Sequence, residues 1–357
     1  GSFFMKHSFF VLLLFVLSCN SSVTEKFDKK NNKNIEDVSS NEPIVELYNI
    51  DKEIIKNPTS PNVYLKRALY YQNKRNFSSA LEDINRALSI TPDVSFLKYH
   101  KAAILYELAV SKQDISLIDE SKIYLDNCIK QDLEIIPPRL LRAKIFLFEK
   151  KTDDAMKLVN EVLKINQTVA EAYLIKGMIY HFLGNNKLAS SSYQTAIEVD
   201  PNYYDAYIHM GMISENSNSY NSIDYYNSAI EIEPFNIEGH RNKGLYYHFK
   251  SNYVSARNSF KKIIKIDSNF EETYFNIGNT FLGQYEKEVS NDDYLDSAFF
   301  YFNRALQINP YYVQSIHNLG LCYEIKGKID LAKKYYQQAI KIDNEFLPSL
   351  NALNLLD

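Results

Sequence analysis

The sequence predicts an all-α fold, a solenoid of about eight helix hairpins, and three observations carry that prediction. First, residues 170–203 read as two short amphipathic helices. Tyr173, Gly177 and Tyr180 share one helical stripe, and Gly184 supplies the positive φ at which the first helix stops. Ala189, Tyr193 and Ala196 make a second stripe, and Pro201 closes the unit where a helix cannot continue. Second, the unit recurs in tandem. At the position of Gly177 stand Ala68, Ala102, Ala143, Gly211, Gly244, Gly278 and Gly320, small residues that let two helix backbones approach while tyrosines fill the space between them. Third, the chain is 45% hydrophobic with 28 Tyr and 21 Phe, enough for a continuous apolar seam between stacked helices.

Taken in order, residues 1–19 lie outside the fold. Gly1–Phe4 precede Met5, Lys6 carries a charge, and an apolar run from Phe9 to Leu17 ends at Ser18 and Cys19. Nine apolar residues are too few to span a bilayer and suit a secretory signal. Val16-Leu17-Ser18-Cys19 resembles a bacterial lipobox, which implies a lipid thioether at Cys19 and cleavage before it. An ordinary signal peptide with an incidental cysteine, or an uncleaved anchor, is the alternative. Asn20 after the cysteine leans toward the outer membrane, facing the periplasm. Residues 20–43 are polar with one aromatic and read as a disordered tether. Residues 44–60, with Ile44, Leu47, Tyr48, Ile54 and Ile55 before Pro58, read as an N-terminal capping helix.

Eight units then follow at 61–94, 95–135, 136–169, 170–203, 204–236, 237–270, 271–312 and 313–346. Their second-helix pairs are Ala80/Ala87, Ser121/Cys128, Ala155/Val162, Ala189/Ala196, Ser222/Ala229, Ala256/Ile263, Ala298/Ala305 and Ala332/Ala339. Pro92, Pro201, Pro234 and Pro310 close four of them; Leu133, Gln167, Ser268 and Asn344 stand in the other four. About seven extra residues around Ser111–Glu120 and eight around Glu286–Asp296 fall between the helices of the second and seventh units. They are expected as surface loops, with part of their length extending the helices; the alternative is a projecting lobe on one edge that contacts a partner. Residues 347–357, with Leu350 and Leu353, are expected to form a C-terminal cap.

This pattern of aromatic, small residue, aromatic, then Ala, aromatic, Ala and Pro resembles the tetratricopeptide repeat. The family's usual Trp is absent, and Tyr and Phe stand at comparable positions. The resemblance implies a right-handed superhelix whose first helices line a concave face at positions two, five, six, nine, twelve and thirteen. Read that way, the carboxy-terminal half presents a polar row of His209, Arg241, Asn242, His248, Phe275, Asn276, Asn279, His317 and Asn318. Asn242, Asn276 and Asn318 recur at one position, and such amides can pair with the backbone of an extended peptide without reading its sequence. Arg241 and the histidines would add a carboxylate contact. The plainer alternative is that these asparagines bond only to neighbouring helices. The amino-terminal half places Leu65, Leu69, Phe96, Tyr99, Leu140, Leu141, Leu147, Phe148, Leu174 and Phe182 at matching positions. That wall suits a helix or an apolar segment, or packs on itself. Leu65 and Leu69 stand where chaperone-binding relatives carry the Lys and Asn of a carboxylate clamp.

Net charge is −4, which does not favour nucleic acid. No phosphate loop, CxxC pair, HExxH or nucleophile elbow is present, the histidines are scattered, and Cys128 and Cys322 lie six units apart. No catalytic residue, metal or cofactor is expected. The expected function is a protein-binding scaffold or adaptor, lipid-anchored at Cys19 in a bacterial envelope complex. The alternatives are a non-lipidated peptide adaptor of cytosol or organelle, and an accessory subunit of a cell-wall or glycan-assembly enzyme.

Overall fold

A computed structural model describes residues 43–216, 222–287 and 291–356. The signal, Cys19 and the tether lie outside the described residues. Those that are described form 18 helices and no strand, in two compact units that meet in sequence at Pro201 and Asn202. The first unit holds α1 (Pro43–Lys56), α2 (Pro61–Asn73), α3 (Phe77–Ile90), α4 (Ser95–Lys112), α5 (Ile115–Gln131), α6 (Pro137–Phe148), α7 (Thr152–Ile165), α8 (Ala170–Phe182) and α9 (Asn186–Val199). The second holds α10 (Tyr204–Asn216), α11 (Ser222–Ile232), α12 (Ile237–Phe249), α13 (Tyr253–Ile266), α14 (Glu271–Lys287), α15 (Asp292–Ile308), α16 (Val313–Ile325), α17 (Ile329–Ile342) and α18 (Leu347–Leu356).

Within each unit every hairpin packs its two helices together and then stacks on the next, as a solenoid does. First helices also meet one another: α4 meets α6 and α6 meets α8 in one unit, and α10 meets α12 and α12 meets α14 in the other. One face of each stack is therefore built from first helices alone.

The hairpin turns are where backbone conformation is most constrained. Gly184 and Gly327 adopt φ of +76° and +69°, while Arg75, Gln113, Lys150 and Ser251 take the same left-handed turn with a side chain. Five of the second helices then start on a side-chain cap. Asn76, Asp114, Asn185, Asn252 and Asn291 each accept a backbone N–H from the first turn. Between hairpins the closing turn forms even where proline is missing. Asp132, Asn166, Asp267 and Asp343 accept from the backbone N–H two residues on, at 2.8–3.0 Å. The same bond forms at Asn309 beside Pro310, at 3.1 Å, so the Asx-turn shapes this junction with or without the proline.

A size match holds each hairpin shut. A Cβ on Gly244 would lie 2.5 Å from Cε1 of Phe260, and Gly177, Gly211, Gly278 and Gly320 face Tyr193, Tyr226, Phe302 and Tyr336 in the same way. In the three units that carry alanine, the facing position holds a smaller side chain: Ile84 for Ala68, Leu125 for Ala102 and Val159 for Ala143. All of these are fully buried. Volume on one helix is matched by its absence on the other, as close packing requires. Two tyrosines also place their hydroxyls, Tyr226 donating to Glu215 at 2.5 Å and Tyr336 to Glu324 at 2.6 Å.

Two expectations change. The extra residues of the second and seventh units are not mainly loop: α4, α5, α14 and α15 run 17 or 18 residues against 11 to 14 in the other hairpins. The reason is periodic. Each helix gains about one turn, which keeps its buried stripe in register. The N-terminal cap is also held differently. Tyr48 and Ile55 are exposed, and Ile50 is the buried anchor, assisted by ion pairs from Glu53 to Lys66 and from Asp51 to Arg67.

Candidate partner-binding face

The first helices of the second unit carry the polar row. Their spacing puts position two of each, Asp205 on α10, Glu238 on α12 and Glu272 on α14, one turn before position six, which holds His209, Asn242 and Asn276 in turn. Side chains bridge from helix to helix along this face. Tyr204 accepts the backbone N–H of Gly239 at 2.8 Å, Arg241 pairs with Glu272 at 3.2 Å, and Asn318 donates to Asn279 at 2.6 Å. Within α14, Asn276 donates to Glu272 at 3.4 Å.

The nine residues singled out from sequence have different fates. His209 is buried. Phe275 packs on Phe302 and Tyr312. His248 lies against Phe249 and Tyr253, and burial lowers its pKa. His317 sits between Tyr336 and Phe346, with Nδ1 3.0 Å from Ser349 Oγ of α18. Burial pushes it down to about 4, with Glu324 opposing. These neutral rings and the paired Arg241 are poor receptors for a carboxylate. Asn279 and Asn318 bond to each other across two helices, and Asn276 bonds within its own helix. Asn242 is the exception: it is 7% exposed, and its amide nitrogen is buried without a hydrogen-bond partner.

The acids were missed, although Asp205, Glu238 and Glu272 recur at one position in consecutive units and so left a signal in the sequence. Glu238 is unusual among them. Burial, reinforced by Asp205, pushes Glu238 up to about 7, with Arg241 opposing and Glu233 adding to the rise. Burial and Glu238 raise Tyr204, and burial with Glu272 and Glu271 raises Tyr312. The face is short of positive charge.

In the first unit the expected apolar wall is core. Leu65, Tyr99, Leu140, Leu141, Leu147 and Leu174 are buried, while Leu69, Phe96, Phe148 and Phe182 are half-buried. The polar contacts there are internal: buried Lys144 reaches Glu171 at 2.5 Å, and Arg67 is held by Asp83 and Asp51. Cys128 and Cys322 are free, buried thiols pushed up to about 11 and about 12 by desolvation, so neither is reactive. Among the described residues no group of side chains could hold a metal ion, and no helix is long and apolar enough to cross a membrane.

Residues 61–94, 170–203 and 313–346 match sequence models of the tetratricopeptide repeat. These segments are tetratricopeptide repeats. The fold agrees with solved structures of such arrays. Yeast Tom70 aligns with a TM-score of 0.58 and 15% identity over 97% of this chain and 68% of its own. The Cut9–Hcn1 hetero-tetramer of the APC/C aligns with 0.56 and 17%, over 96% and 62%. Among curated proteins, a DnaJ homolog subfamily C member 7 homolog of Schizosaccharomyces pombe is 22% identical over 78% of this chain and 56% of its own length. The chain spans about half the length of the curated relatives it matches. At these identities the likeness is one of fold. Tetratricopeptide repeats bind protein or peptide partners, and as a fold they are generally non-catalytic.

Proposed function

We propose that this chain is a protein-interaction scaffold, tethered by a lipid at Cys19 in a bacterial envelope, that holds an extended segment of a partner on the first-helix face of its second unit. The observation that carries the binding site is Asn242. A buried amide donor without a partner costs about 1–3 kcal/mol, and a backbone carbonyl of a bound segment would satisfy it. The stacked first helices supply a long face suited to an extended chain. The address rests on Val16-Leu17-Ser18-Cys19 alone, and the polar tether behind it would hold the array off the membrane.

Two experiments test the two halves separately. Metabolic labelling with a fatty acid is expected to mark the wild type and leave Cys19→Ala unlabelled; an unlabelled wild type ends the lipoprotein reading and favours a non-lipidated adaptor. Cross-linking and recovery from intact envelope are expected to lose partners in Asn242→Ala and in the Asn242/Asn276/Asn318→Ala triple. Equal recovery from all three proteins removes this face as the binding site.

A further inference from the structure

Resting on that reading, the same face says what the partner carries. Glu233, Glu238, Glu271 and Glu272 are all half-buried around α12 and α14, and Arg241 is the cation set against them. That guanidinium is engaged by Glu272 at 3.2 Å. Asn236 donates to Glu233 at 2.9 Å and Asn309 to Glu271 at 3.0 Å, contacts that satisfy geometry but bring no charge. Asp205 adds its field at Glu238. An acidic cluster alone marks nothing, but here the unpartnered Asn242 belongs to the same stripe. It follows Glu238 by one turn of α12, the spacing at which Asn276 Nδ2 meets Glu272 Oε1 on α14.

We propose that this face selects an extended peptide bearing lysine or arginine, with the cationic side chain lodged at Glu238 while Asn242 Nδ2 donates to a neighbouring backbone carbonyl. The chemistry is complementary at both points. A half-buried carboxylate lacking a full counter-charge gains one, and a buried donor gains an acceptor. A bound cation favours the ionised form of Glu238, so binding releases a proton from that group, and affinity rises as pH passes upward through about 7. The charge is opposite to that of a carboxylate-binding groove, and it repels nucleic acid.

The test uses the full chain and fluorescent peptides about 12 residues long, enough to cross four helices spaced about 10 Å apart. Three sequences are compared: alternating Ser–Lys, Ser–Gln and Ser–Glu. The basic peptide is expected to bind about tenfold more tightly than the acidic one, with affinity rising from pH 6 to pH 8. Glu238→Gln is expected to remove most of that preference and the pH slope, and Asp205→Asn to weaken both, a second variant should the first not fold. Asp330→Asn, which removes one exposed charge on α17, is expected to change nothing. Absence of a preference for the basic peptide, or equal losses in Asp330→Asn and Glu238→Gln, overturns the proposal. If neutral peptide binds and Asn242→Ala abolishes it without any charge preference, the selection for cations falls while the groove reading stands. If no peptide binds and Asn242→Ala leaves partner recovery unchanged, both fall.

Discussion

Gly244 has no room for a methyl group, because the ring of Phe260 already occupies the space. Gly244→Ala is therefore expected to destabilise the protein by about 1–3 kcal/mol, read as a lower melting temperature. Adding Phe260→Val, which recreates the Ala143/Val159 match, is expected to recover part of the loss. A double mutant less stable than the sum of the two single changes would show that size matching is not what holds the hairpin. The same scale contains the pH response of Glu238. Its carboxyl titrates near 7 in the fold and near 4.3 in an unfolded chain. Between those values the native state binds more protons, so its contribution is fully present below about pH 4 and is lost as pH rises through 7. The wild type is expected to lose stability relative to Glu238→Gln over that window, by at most about 4 kcal/mol, and by less because the residue is only half-buried. Parallel melting curves for the two proteins from pH 5 to pH 8 would contradict this.

At the scale of elements, the hairpin turns divide into relaxed and strained ones. Ser251 holds φ at +58° between α12 and α13, where Gly184 and Gly327 hold the same turn without a side chain. Ser251→Gly is expected to raise stability by roughly 0.5–1 kcal/mol; a fall would mean that the serine side chain matters more than its backbone. The terminal helix α18 is a second case. It covers α17 and seals His317 through Ser349. Truncation after residue 346 is expected to move the His317 pKa from about 4 back toward 6.5, followed by the NMR shifts of its ring protons. A ring that still titrates near 4 would show that α16 and α17 bury it without the cap. The lengthened helices of the second and seventh hairpins follow from the same periodic logic, since extra residues remain compatible with the stack when they add whole turns.

For the whole molecule, the consequence of stacking is that stability is local. Each hairpin contacts its neighbours in the chain, so an end hairpin has one neighbour where an interior one has two. Amide exchange is expected to be fastest in α1 and α18 and slowest in interior helices of each unit, such as α6 and α14. Uniform protection across all helices would instead indicate one all-or-none cooperative block. The same linear build makes a long face out of repeated first helices, which is why the proposed site is a stripe and not a cleft.

Much of this was legible in the residues alone. The interval between small residues announced hairpins, and Gly184 announced the turn, because both reflect contacts within some 30 positions and obey local rules. The candidate face was only half legible. The asparagine row was visible as a recurrence, but whether an amide is paired depends on a neighbouring helix, and only packing left Asn242 without a partner while giving Asn318 to Asn279. The acids at position two recurred just as plainly, yet nothing in the letters says that burial holds Glu238 near 7. Sequence by itself determined the repeating architecture, since helix period and side-chain volume are properties of short segments. Tertiary structure decided which polar groups are already satisfied and which remain available, since hydration is lost only when distant segments close over them.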